Sequence, residues 1–303
     1  MKSAQNKGYL FVLAAGVLWG TIGFFATLLS EMGMNAGPIA FFRVLSSSAM
    51  LALTLLITGK GVSLFRISRR GLISCILIGF ISQAFYNFCY MNTIEQNGMA
   101  TAAVFLYTSP IYVALLSRLF FHEPLTGNKI LAIVINIIGC VLTVTGGDFA
   151  EVNISAFGLV MGLLAGFTYA LLPILSRTGA ADENPYTAAF YGQLFGAVLL
   201  FFLIRPYQNV GTVFDWKVLL VLIGFGVMPS AVAYTVYYVG ISKIAETSKV
   251  PVIASIETVV AAAIGLAAFD QRLSAVKLLG IALVLCSIAI MNVKRREKNK
   301  DLA

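Results

Sequence analysis

The chain has 303 residues, of which 59% are hydrophobic and 11% charged, with a mean hydropathy of +0.90. Ordinary soluble domains carry roughly 25% charged residues, so a water-soluble globular fold is excluded. The formal net charge of +8 would suit nucleic acid, but the basic residues are distributed as membrane topology distributes them.

In chain order, ten apolar runs are each long enough to cross a bilayer as a helix. They are residues 8–29, 38–58, 71–92, 99–121, 129–145, 156–175, 186–203, 217–240, 247–269 and 274–293. The connections are too short to hold a folded domain. No stretch reads GxxxxGK[ST], which excludes an ATP-driven pump within this chain. Lys2 and Lys7 ahead of the first run imitate a signal peptide, but the run is too long for one. Cys75, Cys89, Cys140 and Cys286 fall inside apolar runs and read as small core residues. His122 has no second ligand candidate, so no metal and no cofactor are expected.

If the spans alternate from a cytoplasmic N-terminus, only Arg43, Arg205, Lys217, Arg272 and Lys277 of the 21 basic residues lie outside. The positive-inside rule then places both termini in the cytoplasm. Among the loops of the second half the bias is weak, so the orientation of that half rests on the span count and on the basic tail 294–303. The runs Arg66 to Arg70 and Lys294 to Lys300 read as topology determinants that contact anionic lipid. Asn153-Ile-Ser155 matches a glycosylation acceptor by chance frequency, and a bacterial inner membrane is the expected location.

Two halves recur at a nearly constant offset. Tyr86 and Tyr90 match Tyr234 and Tyr238 at an offset of 148, which also aligns the segment from Phe121 to Thr126 with that from Phe269 to Ser274, and Lys129 with Lys277. Gly16 and Gly20 match Gly162 and Gly166 at 146, each pair a GxxxG whose ordinary use is close helix packing. The repeats span 8–145 and 156–293. Five spans per repeat is odd, so the second repeat is expected to enter the membrane inverted, with a substrate site near the midplane between the two.

Leu18-Trp19-Gly20, Phe42-Arg43, Ser109-Pro110 and His122-Glu123-Pro124-Leu125-Thr126, in a chain of ten spans, resemble the EamA family of the drug/metabolite transporter superfamily. The resemblance implies an all-α membrane protein of two inverted five-helix repeats. It also implies alternating-access transport of small metabolites such as amino acids, sugars or drugs. Two positions depart from the family pattern. Glu257-Thr258 stands where Glu-Pro is common, so no proline enforces a helix break there, and Gln271 replaces a usual Glu in the loop after the ninth span.

Of thirteen acidic residues, only Glu257 lies deep in a span, ~15 Å in from Thr247 at about 1.5 Å per residue. A carboxylate there faces a cavity, is protonated or is paired, and it is the leading candidate for proton carriage or for holding a cationic group. Its competing role is a protonated hydrogen-bonding link between helices. Gln83, Tyr86, Asn87 and Tyr90 form one polar stripe on the third span, and Ser230, Tyr234, Tyr237 and Tyr238 a comparable one on the eighth. Tyr86, Tyr234 and Trp19 read as cavity walls or packing, and Tyr90 and Tyr238 as interfacial anchors or walls. Tyr107, Ser109, Thr101, Thr108, Ser255 and Thr258 are hydrogen-bond donors for a cavity or for their own helices. Pro110 and Pro251 free backbone carbonyls within spans. Arg43 is expected to snorkel to the interface or, facing inward, to favour a substrate carboxylate. Glu123 and Asp270 read as solvated loop charges or gate contacts.

Together these residues predict a secondary transporter of a small polar metabolite, an amino acid or amine, with protons as a coupling partner and lipid as surroundings. A neutral or anionic substrate with no role for Glu257, and a non-transporting scaffold, are the alternatives. An intramembrane enzyme lacks paired catalytic groups, a channel lacks a charged ring, and the assembly is expected to be a monomer or homodimer.

Overall fold

A computed structural model describes residues 2–57, 65–148, 154–206, 215–269, 271 and 273–292. Lys60, Asn153, Asp270, Arg272 and the basic tail 294–303 lie outside the described residues. Among the described residues ten helices are long and apolar enough to cross a membrane, and the fold is all-α as the sequence predicts. They are α1 (Asn6–Glu31), α2 (Ala36–Ile57), α3 (Arg69–Asn97), α4 (Met99–Phe121) and α5 (Gly127–Thr145), then α6 (Ala156–Thr178), α7 (Pro185–Ile204), α8 (Trp216–Ile241), α9 (Thr247–Ala268) and α10 (Ala275–Asn292). Leu119, Phe120, Leu131, Leu220, Leu278 and Leu279 are all exposed on the outer surface, an arrangement suited to lipid rather than water. Cys286 also faces outward, against the core position expected for it, whereas Cys75, Cys89 and Cys140 are buried.

Helix ends follow local chemistry. Ser68, Thr126, Ser155 and Asp215 accept hydrogen bonds from backbone N–H groups two or three residues on, satisfying donors that a helix start leaves orphaned. α3 runs five residues past its predicted end because its last turn is polar yet still helical, and Gly98, at φ 81°, stops it.

The spans pack in matched pairs. α1 lies along α8 and α9, and α6 lies correspondingly along α3 and α4; α2 contacts α8 as α7 contacts α3. α5 with α10, and α2 with α7, close the two flanks. Both glycine pairs serve packing. Gly16 and Gly20 meet α9 at Ala254, Ile256, Glu257 and Val260, while Gly162 and Gly166 meet α4 at Phe105 and Thr108.

Backbone irregularities recur at the same offset. α3 is π-helical over Ile78–Phe85 and α8 over Val227–Val232; shifting the first by 148 places it on 226–233. α4 breaks at Tyr107 and Thr108, and α9 at Ser255, again 148 residues after Tyr107. The break in α9 arises without the proline at position 258. Asn136 of α5 donates to Ser255 Oγ at 2.6 Å and to Ser287 Oγ of α10 at 3.0 Å, and Ser255 donates to Val252 O at 2.6 Å. A buried amide in an apolar interior must find such partners, and here they pin the interrupted helix.

A methyl group added at Gly16 would sit 2.6 Å from Ala254 O, whereas one at Gly23 meets nothing within 4 Å. Gly16→Ala should therefore lower the melting temperature of the purified protein by several degrees, in line with overpacking costs of about 1–3 kcal/mol. Gly23→Ala should leave it unchanged or raise it, and intrinsic-fluorescence melting curves read both.

Candidate functional site

The interruptions in α4 and α9 and the π segments of α3 and α8 surround one interior region. Glu257 lies in the first turn of the α9 segment that restarts after Ser255, so its carboxylate meets the positive end of a helix dipole. It has no hydrogen-bond or ion-pair partner among the described residues. The phenols of Tyr86, Tyr90, Tyr107, Tyr169 and Tyr234 all lie within electrostatic reach of it. Five aromatic side chains from α3, α4, α6 and α8 thus converge on one unpartnered carboxylate.

The aromatic rings fall into two contacting groups. Tyr86 stacks on Tyr90 with centroids 5.7 Å apart and meets Tyr169 in a tilted contact at 5.3 Å. Trp19 packs against Tyr234 and Tyr237 at 5.4 Å each, and with Ser109, Tyr169, Pro173 and Pro251 it lines a small cavity. Its indole N–H, like the hydroxyls of Tyr237 and Tyr238, has no hydrogen-bond partner. Trp19 is therefore both wall and packing. Tyr90 and Tyr238 belong to the interior, not to the interface where anchoring tyrosines sit; Tyr238 is 1% exposed.

Gln83 and Asn87 are buried on α3, where the Asn87 amide donates back to Gln83 O within the π segment. That bond occupies one Asn87 donor on its own helix. Arg43 corrects the snorkelling expectation. It is 7% exposed and its guanidinium lies 5.7 Å from the centre of the Phe225 ring, with Tyr234 within electrostatic reach. α2 brings it there because Gly226 of α8 lets the α2 backbone approach at Ser46 and Ser47.

Sequence reasoning passed over Tyr169 and Asn136. Tyr169 follows Gly166 by three residues on the packing face of α6, and Asn136 is a lone amide in an apolar span; both were legible signals.

At one end of the bundle, Glu123 forms a buried seal rather than a solvated loop charge. It is 5% exposed and pairs with Arg177 of α6. It accepts from the backbone N–H of Thr247 at 2.7 Å and of Ser248 at 3.0 Å, and from Ser248 Oγ at 2.6 Å. Lys129 Nζ lies 2.7 Å from Glu246, 3.0 Å from Ser248 Oγ and 2.9 Å from Pro124 O. Arg177 also donates to Thr247 Oγ1 at 2.8 Å and covers the Phe121 ring. The α4–α5 hairpin, α6 and the start of α9 are locked together there. At the opposite end the residue equivalent to Glu123 is Gln271, which carries no charge to organise such a seal. Among the described residues no group of acidic, His and Cys side chains could hold a metal ion.

The fold and this lining define a multi-pass membrane transporter. The profile of the EamA-like transporter family matches residues 6–145 and 156–293, and the chain belongs to that family. It is 28% identical to an uncharacterized transporter of Archaeoglobus fulgidus over 94% of this chain and 96% of that one. It is 24% identical to the uncharacterized inner membrane transporter YicL of Salmonella typhimurium, covering 97% and 98%. The pseudopaline exporter CntI of Pseudomonas aeruginosa is 28% identical over 60% of this chain and 63% of its own length. A solved crystal structure, 16% identical and covering 95% of this chain and 96% of its own, superposes with a TM-score of 0.77 and has the same fold.

Two outcomes follow for the seal. Glu123→Gln removes the carboxylate that Arg177 pairs with while Lys129 keeps Glu246, so its melting temperature should fall below that of the wild type. Burial pushes Glu246 up, but the ammonium groups of Lys129 and Lys249 outweigh it and hold the carboxyl below its ordinary 4.5. The stability Glu246 contributes is thus present above the ordinary value and is lost as pH falls through the lowered one. The melting-temperature gap between wild type and Glu246→Gln should persist at neutral pH and close as pH falls below the usual carboxylate range.

Proposed function

We propose that the protein is a secondary active transporter that moves a small polar metabolite bearing an amino or other cationic group by alternating access. The observation that carries this reading is the unpartnered Glu257 carboxylate, ringed by tyrosines from four spans. A charge in an apolar interior is costly unless something compensates it. Here the compensating group is a substrate cation, stacked on the faces of Tyr86 and Tyr234, or a proton that takes its place. Proton and cation competing for one carboxylate give exchange without any further machinery.

Matched packing pairs, π segments and breaks at one offset support two inverted five-helix repeats, 8–145 and 156–293, with the site between them. In this reading the Glu123 seal lies at the cytoplasmic end, both termini are cytoplasmic, and the conformation is closed to the inside. Opening that end requires the α4–α5 hairpin to part from α6 and α9, while the site residues hold their places on α3 and α8. The membrane is a bacterial inner membrane, and one protomer, alone or in a homodimer, holds a complete site.

Proteoliposomes containing wild type or Glu257→Gln, loaded with candidate amines and amino acids and given a pH step, test this. Wild type should show saturable flux that follows the proton gradient, and the variant should lose at least tenfold of it together with its pH dependence. Unchanged flux and unchanged pH dependence in Glu257→Gln would overturn the reading.

A further inference from the structure

At the end of the bundle that Glu123 seals, the start of α3 and the last turn of α6 leave a groove of about 450 Å³ between them, lined by Arg69, Arg70, Ile73, Ser74, Leu77 and Thr178. We propose that this groove is a binding site for one anionic phospholipid, whose phosphate is held by Arg69 and Arg70 and whose acyl chain lies along Ile73 and Leu77. The groove is separate from the Glu257 region, and the inference does not depend on what that region binds.

The spacing of the α3 residues builds one wall. Arg69, Arg70, Ile73, Ser74 and Leu77 follow at i, i+1, i+4, i+5 and i+8, which places them along one face of a helix. The other wall is held close to it. Ser74 Oγ donates to Leu175 O of α6 at 2.5 Å, and a methyl group on Gly179 would sit 2.9 Å from Arg70 O. The two spans are thus fixed against each other, and the groove runs along their seam.

The two ends of the groove differ in chemistry. Arg69 and Arg70 are exposed and join no ion pair among the described residues. The Glu183 carboxylate lies on the Gly71 side of α3 and is taken by Ser68, whose backbone N–H and hydroxyl both donate to it. Ile73 and Leu77, further down the span, are exposed and apolar. Leu77 is eight residues past Arg69, ~12 Å along the helix at about 1.5 Å per residue, which is deeper than the headgroup layer of roughly 5–8 Å on each side of a bilayer. Paired cations at headgroup level above an apolar channel at acyl-chain level match an anionic lipid, whereas a free phosphate would leave the lower half empty. Guanidinium groups bind phosphate oxygens through parallel N–H···O bonds, and basic pockets between spans hold anionic headgroups in this way.

The groove belongs to one half of the repeat. At the offset of 148, Arg69 and Arg70 fall on Lys217 and Val218, and Ile73 and Leu77 on Val221 and Phe225. Val218 and Phe225 are buried together in a core cluster, and Lys217 stands beside the Trp216 ring, so the matched face of α8 is packed where that of α3 is open. A basic run that only sets topology needs charge near a span end and nothing more; the seam with α6 turns that charge into a discrete site. The occupant touches Thr178, one residue from the Arg177 that pairs with Glu123, and so adds to the contacts that hold α6 at the sealed end.

Purified full-length protein in detergent, titrated with phosphatidylglycerol or with phosphatidylcholine of the same acyl chains, tests this by native mass spectrometry, which counts bound lipid, and by thermal stabilisation, which reports binding by mass action. Wild type should retain one phosphatidylglycerol with an affinity roughly tenfold or more above that for phosphatidylcholine, and inorganic phosphate should not stabilise it. The double variant Arg69→Gln, Arg70→Gln should bind the two lipids alike. Ile73→Trp, which keeps both charges and fills the groove, should also lose the preference, and it carries the test if the double variant does not fold. Lys217→Gln, on the matched face of α8, should keep the preference.

Equal binding of the two lipids by wild type, or a preference that survives both groove variants, would overturn the inference. Stabilisation by inorganic phosphate as strong as by phosphatidylglycerol would show a site for soluble anions and overturn the lipid. A preference kept in Ile73→Trp and lost as much in Lys217→Gln as in the double variant would mark general charge attraction and overturn the discrete site.

Discussion

A charge or an unpaired polar group inside an apolar medium costs several kcal/mol unless it finds a partner, and the architecture follows from where this chain accepts that cost. At the Glu123 end the charged groups are matched: the carboxylate meets Arg177, two backbone amides and Ser248, and Lys129 meets Glu246. In the centre the opposite holds. Among the described residues Glu257 and Arg43 join no ion pair, and the Trp19 indole N–H has no hydrogen-bond partner. One end is thus chemically complete and the middle is chemically unfinished, which is the condition a binding site needs before its ligand arrives.

The unfinished centre exists because the backbone is irregular there. Straight helices would carry their polar atoms in their own hydrogen bonds and pack without a gap. The π segments of α3 and α8 and the breaks of α4 and α9 displace side chains from the regular helical sequence of faces, and they occur where the aromatic wall is built. Asn136 illustrates how such a break is held: a single amide on α5 bonds to Ser255 and Ser287 and so ties α5, α9 and α10 around the turn that presents Glu257. Glycines complete the arrangement by letting α1 approach the break in α9 and α6 the break in α4. Because the π segments, the breaks and the glycine pairs recur near a single offset, the two halves frame the site from both sides, and Asn136 and the charged residues depart from that symmetry.

Membership of the EamA-like transporter family agrees with this division between sealed end and open centre. The family and its named relatives fix the class of protein. What the molecule carries is a question for the side chains rather than the fold.

How much could be read from the amino-acid order divides along the range of the interactions involved. Ten spans, their approximate limits, the internal repeat and the depth of Glu257 were legible because hydrophobic length and periodicity are local properties that a bilayer converts directly into helices. The glycine pairs were legible as packing sites for the same reason. Arg43, Glu123, Tyr90 and Tyr238 were left open between an interface and an inward position, and Arg43, Glu123 and Tyr238 prove buried. A residue near a span end has the same sequence surroundings whether it turns outward or inward, and only the neighbouring helices decide. Tyr169 and Asn136 were visible as polar residues in apolar spans, but their partners are supplied by α3, α9 and α10, far away in the chain. The sequence by itself determined that this is a ten-span membrane protein built from two related halves with a lone deep carboxylate. Only the tertiary structure decided which polar groups are matched and which are left open, because that depends on long-range packing, and no local pattern encodes it.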